Sequence, residues 1–138
     1  MVVLLLVTGV LGSATARPAL AGAMCNGLAA TIVGAGIIPG TPSNDVIVGS
    51  EGRDTVTGNG GNDTVCTLGG NDDVTSGDGT DALFGGAGND KLRGVAGNDT
   101  INGEAGIDAP AGQEGDDTVS GGPDVDKITG GIGHDRLV

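Results

Sequence analysis

The chain of 138 residues contains no Trp, no Tyr and a single Phe, and it has only two Cys and one His. It therefore lacks the large side chains that dominate most globular cores and recognition surfaces, and it cannot stack on nucleic-acid bases. Basic residues are scarce as well. Six of them against 18 acidic ones leave a formal charge of −12, which repels phosphate backbones and anionic bilayers. Nucleic acid and membrane insertion of the mature chain are excluded on that basis, and cations become the natural partners. No HExxH stretch is present for a zinc hydrolase and no GxSxG for a nucleophile elbow. Two Cys with His134 offer no zinc-ligand spacing, and His134 reads as an exposed turn residue. Nothing here points to an enzyme.

Gly is abundant, with 30 residues beside 5 Pro. Such a composition reads as disordered unless a strict period runs through it. The period is nine residues. Asp stands at 45, 54, 63, 72, 81, 90, 99, 108, 117, 126 and 135, without a gap. Two residues after each come Ile47, Val56, Val65, Val74, Leu83, Leu92, Ile101, Pro110, Val119, Ile128 and Leu137, all aliphatic except the Pro. Two residues before each stands Gly, with Ser43 and Asp124 the exceptions.

A nine-residue spacing cannot build a helical stripe, because nine steps of about 100° return the aliphatic residue to the opposite face. Stacked short strands fit instead. In DTVT (54–57) or DKLR (90–93) the aliphatic residue points inward between outward neighbours. The Gly-rich remainder, as in GGAGN (85–89), supplies turns that tolerate positive φ. Strand, turn, strand, turn makes one coil of two repeats, so the fold class is all-β and solenoidal.

The segment GGAGNDKLR (85–93) matches the GGxGxDxUx nonapeptide, and over residues 40–138 the chain resembles the repeats-in-toxin, or haemolysin-type, calcium-binding family. The resemblance implies a right-handed parallel β-roll with Ca²⁺ in the turns between successive coils. Calcium takes six to eight oxygens from carboxylates and carbonyls, which Asp and Gly-rich turns can offer. It further implies that turns 18 residues apart on one side share an ion. One side carries Asp45, Asp63, Asp81, Asp99, Asp117 and Asp135; the other carries Asp54, Asp72, Asp90, Asp108 and Asp126. Five gaps on the first and four on the second set a ceiling of about nine ions. Nine ions would overshoot neutrality against a charge of −12, so partial occupancy is expected. The turns before Asp90 (Gly85, Gly86, Gly88) and Asp135 (Gly130, Gly131, Gly133) keep all three glycines and should be the best formed. Weaker turns carry Thr67 and Leu68, Val95, Glu104 or Asp124 in place of Gly, and Pro110 marks a fault in the core column.

The ends differ from the repeats. Residues 1–23 read as a secretory signal peptide, with an apolar run MVVLLLVTGVL and small-residue cleavage positions after Ala16 or Ala23, the latter favoured; a buried N-terminal strand or helix is the alternative. An exported chain favours a Cys25–Cys66 disulfide over two separate thiols. Residues 24–39 are expected to cap the roll, with AGIIPG (35–40) a six-residue insertion, since Ile32 lies 15 residues before Ile47. After Leu137 and Val138 no polar cap follows, and another molecule or further chain is expected to cover that end.

The function expected is that of a secreted, extracellular calcium-binding repeat protein with a structural or adhesive role. The alternative is the non-catalytic calcium-binding tail of a secreted enzyme such as a protease or lipase. Outward Thr residues, Thr100 and Thr118 among them, leave room for a cell-surface or glycan partner, although Ala82, Phe84 and charged pairs interrupt their array. With one aliphatic residue per repeat and two self-repelling Asp columns, the roll is expected to be largely unfolded until calcium binds.

Overall fold

The computed structural model describes Leu5–Leu6 and residues 22–138. The expected leader, residues 1–23, therefore lies outside the described residues except for Leu5–Leu6, Gly22 and Ala23. The described residues contain no helix. Strands follow one another at the nine-residue period and alternate between two sheets. The larger sheet orders Leu5–Leu6, Ile32–Val33, Val46–Val48, Thr64–Cys66, Ala82–Ala87, Thr100–Ala105, Thr118–Ser120 and Arg136–Leu137. The other orders Ile37–Pro39, Thr55–Gly60, Asp73–Asp78, Lys91–Ala96, Ala109–Glu114 and Thr129–Ile132. Every pairing within them is parallel. The register joins residues one coil apart: Leu83 to Ile101 in one sheet, and Val56 to Val74 and Val74 to Leu92 in the other. Two repeats thus make one coil of a parallel β-roll.

The core lies between the sheets and is one aliphatic residue wide per repeat. Ile32, Ile38, Ile47, Val56, Val65, Val74, Leu83, Leu92, Ile101 and Val119 are buried in a single cluster, with Ile128 packed against its end. Strand alternation buries every second residue, so the Asp, the aliphatic residue and the first Gly of the central repeats all face inward.

Three local results depart from simple repetition. The segment AGIIPG is not an insertion: Ile37–Pro39 forms a strand paired with Thr55–Thr57, and Ile38 takes the core position opposite Val56. The coil is instead shortened between Ile32 and Ile38. Pro110 is buried at its core position, but it has no N–H to give to a neighbouring coil. Accordingly the pairing with the following coil begins only at Ala111 with Thr129, whereas the neighbouring pairs begin at Lys91 with Ala109 and Lys91 with Asp73. In the coil with Pro123 and Asp124 the strand Thr118–Ser120 is cut to three residues, half the length of Thr100–Ala105 beside it.

The N-terminal hairpin, Met24–Cys25 with Leu28–Ala29, is held by the Cys25–Cys66 disulfide, whose Cα atoms are 5.7 Å apart. Cys25, Ala30 and Val48 pack together with Val46, Cys66 and Phe84 around them. The hairpin thereby covers part of the outer face of the larger sheet that the sequence alone leaves open.

Candidate metal centre

The Asp residues form two ladders along the roll. In each, the backbone N–H of one Asp donates to Oδ1 of the Asp one coil later. On one side these bonds run from Asp45 to Asp63 (2.9 Å), Asp63 to Asp81 (2.7 Å), Asp81 to Asp99 (2.9 Å), Asp99 to Asp117 (2.8 Å) and Asp117 to Asp135 (3.1 Å). On the other they join Asp54 to Asp72 (2.7 Å), Asp72 to Asp90 (2.9 Å), Asp90 to Asp108 (2.8 Å) and Asp108 to Asp126 (2.8 Å). One carboxylate oxygen of each rung thus closes the backbone of the coil before it. Asp45 through Asp117 are buried, while Asp126 and Asp135, toward the end of the roll, are only partly covered.

The second oxygen is the unusual feature. Oδ2 of Asp63, Asp72, Asp81, Asp90, Asp99, Asp108 and Asp117 is buried with no hydrogen-bond donor. Leaving a buried acceptor unmatched costs about 1–3 kcal/mol, and more when it is charged. Burial raises the Asp99 carboxyl to about 7, with the Asp81 and Asp117 carboxylates adding to the effect against a backbone hydrogen bond that opposes it. Burial likewise lifts Asp63 and Asp90 to about 6, and raises Asp72, Asp108 and Asp117. Asp45 and Asp54 differ. Their Oδ2 atoms accept the N–H and hydroxyl of Thr41 (2.7 and 2.9 Å) and of Ser50 (2.7 and 3.0 Å).

The glycines of GGxGxD have separate duties. The first leaves open the space beside the unmatched oxygen: a Cβ on Gly85 would lie 2.5 Å from Oδ2 of Asp90 and 2.7 Å from the carbonyl oxygen of Gly103 in the next coil. That cradle is lined by one carboxylate and one carbonyl oxygen. It recurs at Gly58, between Oδ2 of Asp63 and the Ser76 carbonyl, and at Gly94 and Gly103. The third Gly lets coils approach, since a Cβ on Gly88 or Gly97 would run into the carbonyl oxygen of Gly70 or Gly79. From residue 59 onward the second position is left-handed even where it is not Gly, as at Leu68 (φ 73°), Val95 (φ 95°) and Glu104 (φ 75°).

Among the described residues no three His, Cys, Asp or Glu side chains converge as a metal cluster. A cation here would depend on carbonyl oxygens beside the carboxylates, which is the donor set a hard ion such as calcium takes. The unmatched oxygens and the Gly cradles fit that ion. Of the residues expected from sequence, Gly85, Gly86 and Gly88 lie in an interior turn next to buried Asp90. Gly130, Gly131 and Gly133 serve Asp135 at the end of the roll, where Gly130 is buried and Gly131 and Gly133 are exposed. His134 is fully exposed and sits 3.5 Å from Asp116.

Some contributors are not evident from the Asp period. An Asn before the Asp holds the opposite edge of the turn, its Oδ1 accepting an N–H from the next coil: Asn44 from Asn62 (2.8 Å), Asn71 from Asn89 (2.9 Å) and Asn98 from Asp116 (2.9 Å). The recurrence of Asn at 44, 62, 71, 89 and 98 is the sequence signal for it. Ser76, a buried hydroxyl at a first-Gly position, carries no periodic signal of its own.

Residues 39–74, 75–109 and 111–137 match the family model of the RTX calcium-binding nonapeptide repeat (4 copies). No curated protein and no solved structure matches the chain.

Proposed function

Because the chain belongs to the RTX calcium-binding nonapeptide repeat family, whose repeats occupy most of it, we propose that it is a secreted calcium-binding protein whose β-roll folds around Ca²⁺ in the turns between coils. The observation that carries this reading is the row of seven buried Oδ2 atoms without donors, from Asp63 to Asp117, on the interior rungs of both Asp ladders. Calcium supplies the positive charge that makes such burial tolerable. Oδ2 of Asp63, Asp90, Asp99, Asp108 and Asp117 would hold it, together with main-chain carbonyls such as those of Ser76, Gly103 and Gly112. The Gly residues at the first and third positions keep the turn open and the coils close. Asp135 and Gly130, Gly131 and Gly133 complete the last rung.

Secretion is supported by the leader-like apolar N-terminus and by the disulfide, which persists in oxidising compartments. Dissociation constants on the order of 10⁻⁴–10⁻³ M, as in extracellular modules, would couple folding to export. The role is structural or adhesive rather than catalytic. A role as the non-catalytic calcium-binding tail of a secreted enzyme is the second reading; an adjoining reading frame that encodes an enzyme domain would favour it. A flat Thr surface for glycans is less well supported: Thr100 and Thr118 are register neighbours, but Ala82 and Arg136 flank them.

Calorimetric titration of the chelator-treated protein with calcium tests the proposal. Saturable binding of several ions with a folding enthalpy is expected. No heat beyond dilution at millimolar calcium would overturn it.

A further inference from the structure

We infer that two of the nine gaps between turns are closed to calcium by the chain's own hydroxyls, those of Thr67 and Ser76, so that the roll takes up at most seven ions. The inference rests on the calcium reading above and concerns how the ions are distributed. The gaps begin at the first-position residues 40, 49, 58, 67, 76, 85, 94, 103 and 112, and only at 67 and 76 is that residue not Gly. Both Thr67 and Ser76 are fully buried. Their Cβ atoms occupy the space that the glycines leave open beside the Asp carboxylate.

The hydroxyls also take the second ligand. Thr67 Oγ1 donates to the carbonyl oxygen of Gly85 at 2.7 Å, and Ser76 Oγ donates to that of Gly94 at 2.8 Å. These carbonyls hold the same place in their gaps as the Gly103 carbonyl holds beside Gly85. A hydroxyl donor presents its positive end to the carbonyl, where a cation would otherwise sit. Side chain and ion compete for one volume beside that oxygen. The two closed gaps are consecutive in the chain and lie on opposite sides of the roll, and the strand ending at Cys66 leads into the first of them. They form a belt joined by hydroxyl bonds instead of ions, directly after the disulfide.

The test is a count of bound calcium by equilibrium dialysis at saturating calcium, comparing the full chain with its Thr67→Gly/Ser76→Gly variant. Gly is the residue that the other turns carry here, so the variant should bind two more ions than the parent. The reverse variant, Gly85→Ser, should bind one fewer. Equal counts for the parent and the Thr67→Gly/Ser76→Gly variant would overturn the inference while leaving the calcium reading intact. Calcium bound by none of the three proteins would overturn both.

Discussion

The backbone N–H of Asp81 donates to Oδ1 of Asp99 at 2.9 Å, while Oδ2 of the same Asp99 side chain is buried without a donor. One carboxylate therefore has two jobs: its first oxygen closes the preceding coil, and its second is left for a cation. Substitutions at Asp99 can separate them. In Asp99→Asn the amide oxygen still accepts the Asp81 N–H, and an NH₂ donor replaces the unmatched oxygen. The calcium-free roll should become more stable at neutral pH, while calcium affinity at that turn falls at least about tenfold, about 1.4 kcal/mol. The β signal of circular dichroism in chelator, compared between the parent and Asp99→Asn, and calorimetry in calcium measure the two effects separately.

The raised Asp carboxyls predict an inverted pH dependence without metal. An unfolded Asp titrates near 3.9, whereas folding holds Asp63 and Asp90 at about 6 and Asp99 at about 7. The folded state therefore binds more protons between those values. This contribution to stability is complete below about pH 4 and lost as pH rises through 6 to 7. In chelator the β signal in circular dichroism should be stronger near pH 5 than near pH 8. Calcium affinity should move the other way, weakening as the carboxyls protonate.

Turn glycines should respond according to position. Gly88→Ala places a Cβ against the Gly70 carbonyl at φ 129°, and a loss of about 2–4 kcal/mol is expected in calcium-loaded urea denaturation. Val95→Gly should do the opposite. It relieves a β-branched residue at φ 95°, and a gain of about 1 kcal/mol is expected after the larger unfolded-state entropy of Gly is allowed for.

The disulfide spans a sequence separation of 41 and pins the hairpin to the sheet. In the chain-entropy description a loop of that length contributes roughly 4 kcal/mol. Cys66→Ser should lower the urea midpoint of the calcium-loaded protein without changing the number of ions bound.

The coil length, the two Asp columns and the aliphatic column were legible in the sequence because each depends on spacing alone. Asp54, Asp63 and Leu83 occupy the interior positions that the nine-residue period assigns to their columns. The first coil was not legible in this way. Ile38 keeps phase with Val56, but the turn before it is shorter, and counting from Ile32 mistakes a shortened turn for an insertion. The hydroxyl bonds of Thr67 and Ser76 were hidden for a different reason. They depend on a carbonyl one coil away, which becomes a neighbour only once the roll is wound.

The most direct test of the account is far-ultraviolet circular dichroism of the purified protein at neutral pH, first in excess chelator and then with calcium added to millimolar concentration. The account predicts a largely unordered spectrum that converts to a β spectrum as calcium is added and reverts when chelator is restored. The same β spectrum in chelator as in calcium would contradict it.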